Sequence, residues 1–310
     1  VYDANKIANH ADRLMSDAAF KETVWQFIAE WLGMPLAAPE GMSIVPAPVQ
    51  GDQCNLTAQC QTQYAGLAQS YDCKNSASDM SWCECDGVRC DSLGGGLSLE
   101  ASMHEETRRM VDHIIDNDLP IAELFTADYS FINKTLAEHY GVPAPTTDWA
   151  RYDFPASADR LGILTHANFL TGNGKHGRDV NTIFRGKVVY ERLFCEQMPP
   201  PPPPEQSVDL AGEIADRGTH PACKGCHEVV DPIGRMFDLY DDYGKKFDQA
   251  KLFGGLYMDV DIANDYEGVV EFTKALPNSR AFNHCVSRQL FRFAMGRDAT
   301  ETESESFVSI

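Results

Sequence analysis

Long apolar runs are missing from this chain. No stretch approaches the roughly 20 consecutive apolar residues of a membrane-spanning helix, so a helical membrane protein is not expected. Positive charge is scarce: 26 Lys and Arg stand against 46 Asp and Glu, a formal net charge of −20. A field of that sign repels nucleic acid and anionic membranes and suits a basic partner or an extracellular setting. No secretory leader is visible, and the chain opens Val1-Tyr2-Asp3 without a methionine, which reads as a mature or truncated product. Any second Cys-x-x-Cys and any His-x-x-x-His pair are also missing. That narrows the reading of the one motif that stands out.

The motif is Cys223-Lys224-Gly225-Cys226-His227. It reads Cys-x-x-Cys-His, the pattern through which haem is attached covalently: two thiols add to the haem vinyl groups, and the next residue supplies an axial imidazole. Zinc would need two further ligands at a recognisable spacing. A redox-active disulfide would need a βαβ context that the surrounding sequence does not offer. One covalent haem c is therefore the expected cofactor, and the other eight of the ten cysteines point to an oxidising compartment.

The flanking sequence reads as mainly α. Val24, Phe27, Ile28, Trp31 and Leu32 fall at helical spacing, with Ser16 as a candidate N-cap and Gly33 as the stop. Met15 and Met34 read as core filler. A second periodic stretch runs from Glu100 through Met103, Met110 and Val111 to Asn117, and Gly141 ends a third. Between them, residues 40–98 are poor in aliphatic side chains and hold Cys54, Cys60, Cys73, Cys83, Cys85 and Cys90. Such a segment cannot make a core of its own, so these cysteines are expected to staple an irregular insertion as disulfides of open pairing. Asn55-Leu56-Thr57 and Asn133-Lys134-Thr135 are formal glycosylation sequons, read as chance matches.

Residues 144–160 read as a linker. They are followed by an apolar segment, Leu161 to Leu170, with His166 in its middle, and a glycine-rich loop with His176. Phe184, Val188, Val189, Leu193 and Cys195 mark a helix that stops at six prolines, Pro199 to Pro204, an extended rod because proline has no amide hydrogen and a fixed φ. After the Cys-x-x-Cys-His motif, Phe237, Leu239 and Tyr240 can wall a haem, with acids nearby. Residues Gly254 to Asp265 look loop-like. A last helix carries Phe282, Cys285, Val286, Leu290, Phe293 and Ala294 on one face and ends at Gly296.

Several stretches together resemble the trio of domains of unknown function found in large secreted, planctomycete-type and myxobacterial-type cytochrome proteins. They are Leu124-Phe125-Thr126-Ala127-Asp128-Tyr129 up to His139-Tyr140-Gly141; Gly162-Ile163-Leu164-Thr165, Arg185-Gly186-Lys187 and Asp231-Pro232-Ile233-Gly234; and Cys285-Val286-Ser287-Arg288-Gln289-Leu290 with Ala294-Met295-Gly296-Arg297. The resemblance implies a helical N-terminal domain at 1–143 with the disulfide-rich insertion at 40–98. It further implies a haem c-binding domain at 155–250 packed on it, and a C-terminal helical domain at 255–310. Haem c, an extracytoplasmic home (periplasm, cell surface or secreted) and a Cys195–Cys285 disulfide are implied with it.

Cys223, Cys226 and His227 are then the expected haem residues, with Pro232 and Phe237 against the cofactor. The distal iron position decides the chemistry: a second protein ligand makes an electron carrier, an open position an enzyme. The candidates are His166, His176, Met258, Met236 and Met295; His166 is favoured, with His176 and Met258 as alternatives, and Met295 reads as packing. The function that follows is an extracytoplasmic c-type cytochrome with one haem, transferring electrons to a redox partner or through self-assembly. The rivals are a haem peroxidase or oxidase using His176 or Arg178 as a distal acid–base group, and a structural extracellular subunit.

Overall fold

The computed structural model describes residues 17–36, 99–174, 178–198 and 221–307, together with a few isolated residues and short strands before position 99. The proline run 199–204, the 207–217 segment, His176, four of the six insertion cysteines (Cys60, Cys73, Cys83 and Cys90) and the side chains of the other two lie outside the described residues; so do the insertion's disulfide pairings. In that insertion, β1 (Cys54–Asn55) pairs antiparallel with β2 (Ser70–Tyr71), and β3 (Glu84–Cys85) with β4 (Val88–Arg89).

The protein is mainly helical, as its periodicity predicts. It divides into two compact units whose segments interleave along the sequence: Val1–Leu36, Val111–Asp128 and Pro155–Ile310 in the first, Ala37–Met110 and Tyr129–Phe154 in the second.

The second unit is built on the first turns of α2 (Leu99–Asp116) and on a hairpin. After α3 (Glu123–Thr126), β5 (Tyr129–Ile132) leads into α4 (Lys134–Tyr140) and pairs antiparallel with β6 (Ala150–Asp153), Tyr129 opposite Asp153. The expected linker at 144–160 thus contains a strand. Its alternation, Ala150 and Tyr152 inward and Arg151 and Asp153 outward, spans only four residues, too few to stand out in the sequence; Arg151 lies over the Tyr129 ring, 3.5 Å from the centroid. Leu99, Met103, Ile132 and Leu136 fill this core. Glu106 is buried among them and accepts hydrogen bonds from Ser130 Oγ at 2.8 Å and Tyr140 Oη at 2.5 Å, so its burial is compensated. Asn133 caps α4, accepting from the Leu136 amide at 2.9 Å and donating to Ser102 Oγ at 2.8 Å. Buried and engaged at both ends, it serves the helix start.

The first unit begins with α1 (Ala18–Leu32). Asp17, not Ser16, is its cap, accepting from the Ala19 amide at 2.9 Å. Gly33 ends it in the left-handed region, φ 68°. Its apolar face enters an aromatic cluster: Trp31 meets Phe125 edge-on at 5.8 Å, and Phe125 meets Phe282 at 5.1 Å and 84°. Met34 is buried, but Met15 is 50% exposed and fills no core. Every residue from Leu161 to Leu170 is buried, through a 3₁₀ turn (Ile163–Thr165) and α5 (Ala167–Gly172).

α6 (Arg178–Val188) continues as one π-helical stretch, Val189–Leu193, and stops at Phe194, short of the prolines. α7 (Pro221–Arg235) carries the Cys-x-x-Cys-His motif. β7 (Phe253–Gly255) and β8 (Asp265–Glu267) form a hairpin where a loop was expected, because Gly254 and Gly255 hide the strand's pattern. α8 (Gly268–Ala275), α9 (Arg280–Met295) and α10 (Glu301–Ser306) complete the unit. Ser279 caps α9 and Gly296 ends it. Phe282 and Cys285 are buried and Phe293 packs on Phe27, centroids 5.4 Å apart, but Leu290 is 51% and Met295 56% exposed.

Candidate cofactor site

α7 is held against α6 backbone to backbone. A Cβ on Gly186 would lie 2.1 Å from the Val230 carbonyl oxygen, and one on Gly234 1.9 Å from that of Thr182. Only glycine permits that approach. Just beyond the helix, Arg185 of α6 is 1% exposed and collects four carbonyls: Tyr240 at 3.1 Å, Phe237 at 3.5 Å, Leu170 at 3.0 Å and Asp241 at 2.7 Å. Burial pulls its pKa down to about 10, against the pull of Asp238, Asp242 and Asp241 in the opposite direction. The guanidinium thus stays charged and closes the Phe237–Asp241 turn onto α5. The sequence displays Arg185-Gly186 plainly, but an arginine is ordinarily read as a surface residue, and its role as a buried brace is visible only in three dimensions.

On this braced helix, Cys223, Cys226 and His227 stand at i, i+3 and i+4, one face of α7. Neither cysteine is in a disulfide, and both are half-buried. Burial, then the neighbouring Cys223 thiol, push the Cys226 thiol up, while Lys187 of α6 opposes them. A redox-active Cys-x-x-Cys needs the reverse, a thiol driven down towards thiolate. Tyr190, also pushed up by burial and then by Glu196 and Cys226, completes the α6 side of this environment. His227 Nδ1 lies 2.9 Å from Asp231 Oδ1, one turn further along. That engagement leaves Nε2 as the ring nitrogen for a metal. The i, i+4 spacing of His227 and Asp231 is readable in the sequence.

These residues fit a covalently held haem. Two thiols outside any disulfide sit one helical turn apart, and an imidazole follows with its Nδ1 engaged by Asp231. Among the described residues no group of three or more His, Cys, Asp and Glu side chains could hold a metal ion.

The remaining sequence-derived candidates are scattered. Pro232 lies inside α7, where it withdraws a helical donor from the Glu228 carbonyl, and its own carbonyl lies against Gly254 of β7. Phe237 is fully buried and packs on Phe169 of α5, centroids 6.2 Å apart. His166 is 3% exposed and stands at the N-terminal end of that same α5. Met258 is half-buried in the turn after β7, its carbonyl accepting from the Val260 amide at 2.8 Å. Met236 is buried. Met295 is exposed, so the packing expected of it does not occur. Arg178 opens α6, with its side chain outside the described residues. Cys195 and Cys285 form a disulfide, Cα atoms 5.4 Å apart and 90 residues apart in sequence. It ties the end of the α6 extension to α9.

Three family models match the chain. A protein of unknown function (DUF1592) matches residues 95–142, a protein of unknown function (DUF1588) residues 160–249, and a protein of unknown function (DUF1585) residues 263–310. The combination defines a cytochrome-like protein. These are the trio of unknown-function domains of the planctomycete cytochrome C family, and the chain belongs to that family. No curated protein and no solved structure matches it. No helix among the described residues is long and apolar enough to cross a membrane.

Proposed function

We propose that this chain is an extracytoplasmic c-type cytochrome module that carries one haem on Cys223 and Cys226, with His227 as an iron ligand, and passes electrons singly to a redox partner or to a neighbouring copy. The observation that carries the reading is the face of α7: two cysteines outside any disulfide and an imidazole at i, i+3 and i+4 on a helix fixed by glycine contacts and by Arg185. When bound, the haem supplies a one-electron couple. The chain's own residues hold and orient it. Cys223 and Cys226 anchor it, Asp231 orients the His227 ring, and Lys187 and Tyr190 border the anchoring thiols. The acidic surface favours a basic partner.

His166 remains the proposed distal ligand, supported by its burial within the same unit. The module boundaries 1–143, 155–250 and 255–310 are supported by the three matched stretches, each of which falls within one of them or within its last residues. The test is expression in a bacterial periplasm equipped for haem attachment. The expected protein has the absorption of a covalent c-type haem, six-coordinate and indifferent to cyanide and carbon monoxide, and His166→Ala makes it ligand-binding. A periplasmic protein without haem absorption overturns the reading.

A second reading, a haem peroxidase, is favoured by one observation: a carboxylate on Nδ1 of the iron ligand pushes electron density toward the metal, as peroxide cleavage requires. An iron that binds cyanide in the unmodified protein would select it.

A further inference from the structure

We infer that Asp231 is the positioning residue of the His227 iron ligand: it fixes which ring nitrogen meets the metal and holds the reduction potential of the site low. This deepens the haem reading above and rests on it. An i, i+4 histidine–aspartate contact on an exposed helix face would be an ordinary surface pair of small consequence. This one is different. The His227 and Asp231 side chains are only 18% and 13% exposed, and the ring nitrogen and carboxylate oxygen are 2.9 Å apart. The same helix provides the contrast in Glu228. It is adjacent to His227, but it reaches Lys224 at 3.7 Å with side chains 57% and 50% exposed. Both carboxylates are near the histidine; only one touches its ring.

Asp231 is also hard to displace. The next residue is Pro232, whose carbonyl lies against β7, and Gly234 is wedged on Thr182 of α6. The turn of helix bearing the carboxylate is thus clamped on two sides, and the carboxylate cannot follow a wandering ring. A hydrogen bond from Nδ1–H to a fixed carboxylate selects the tautomer with Nε2 free and makes that nitrogen a stronger donor. A stronger donor and a nearby negative charge both favour the oxidised, more positive iron.

The test compares three haem-loaded proteins by spectroelectrochemistry: the unmodified chain, Asp231→Asn and Glu228→Gln. Asp231→Asn keeps an acceptor oxygen but loses the charge, and we expect about a tenfold rise in the reduced-to-oxidised ratio at fixed applied potential, about 59 mV for one electron. Glu228→Gln is expected to move the ratio much less. Equal shifts in the two variants, or none in Asp231→Asn, overturn the inference, since general electrostatics or nothing would then be at work. If Asp231→Asn does not fold, the unmodified protein still decides. An Nδ1 proton of His227 protected from solvent exchange in the magnetic resonance spectrum supports the contact, and a freely exchanging one overturns it. Haem content measured on the same samples separates the two levels: an unmodified protein without covalent haem ends the haem reading and this inference together, whereas loaded proteins of equal potential end this inference alone.

Discussion

The two halves of α7 are built to opposite rules. From Val230 onward the side facing α6 is closed: glycine contacts bring α6 and α7 to backbone distance, Met236 and Phe237 are buried, and Arg185 occupies the carbonyls of the following turn. Earlier in the helix Cys223, Cys226 and His227 are half-buried, neither thiol is in a disulfide, and Nδ1 of the ring meets Asp231. The contrast shows where rigidity is placed. The geometry of the reactive face is set from behind by the sealed end of the same helix. Asp231 stands at the join and transmits that rigidity to the ring.

If that division holds, substitutions in the sealed half cost stability, and those in the open half cost cofactor without cost in stability. The largest effect is expected from Arg185→Met. It strips donors from four carbonyls in a dry site, and roughly 3–5 kcal/mol should be lost in urea unfolding. Gly234→Ala follows at about 3 kcal/mol, because the new methyl meets a backbone oxygen 1.9 Å away that no rotamer change can relieve. Replacing both Cys195 and Cys285 by alanine opens a link spanning 90 residues and should cost about 2–4 kcal/mol in the same assay. By contrast, Cys223→Ala with Cys226→Ala should leave the apoprotein's unfolding midpoint nearly unchanged. A large loss there would mean that the open half is structural after all.

A smaller effect is set by pH. Burial raises the Asp159 carboxyl, but hydrogen bonds from Lys246 at 2.5 Å and Lys251 at 2.7 Å outweigh it, and the net shift is downward from 3.8. A carboxyl depressed by folding stabilises the protein above its unfolded pKa, and that stability drains as pH falls through the folded value. Unfolding midpoints should therefore decline below about pH 4, and Asp159→Asn should flatten the decline. An unchanged slope in Asp159→Asn would assign the acid sensitivity elsewhere.

The open half was largely legible in the sequence and the sealed half was not. Cys223, Cys226 and His227 are a local pattern, and their shared face follows from helical spacing alone. The Cys195–Cys285 bond was implied by family likeness and is present. The sealed half depends on contacts between distant positions. Gly186 and Gly234 look like interruptions until two helices are placed together, and Arg185 looks like a surface residue until the Phe237–Asp241 turn folds over it. Phe237 was expected against the cofactor, a role that remains proposed; in the structure it packs on Phe169. The strands β6 and β7 escaped notice because β6 alternates over only four residues and paired glycines interrupt the pattern of β7. Met15 and Met295 were expected inside and lie outside, since hydrophobicity at helical spacing does not say where a helix runs past its core.

The most direct measurement is peptide mass mapping of the periplasmic protein across Cys223 to His227 after alkylation of free thiols. Covalent haem c predicts one peptide that carries a single haem on both cysteines and takes up no alkylating agent. Two alkylated thiols at Cys223 and Cys226, from cells that attach haem to a control cytochrome, would contradict it.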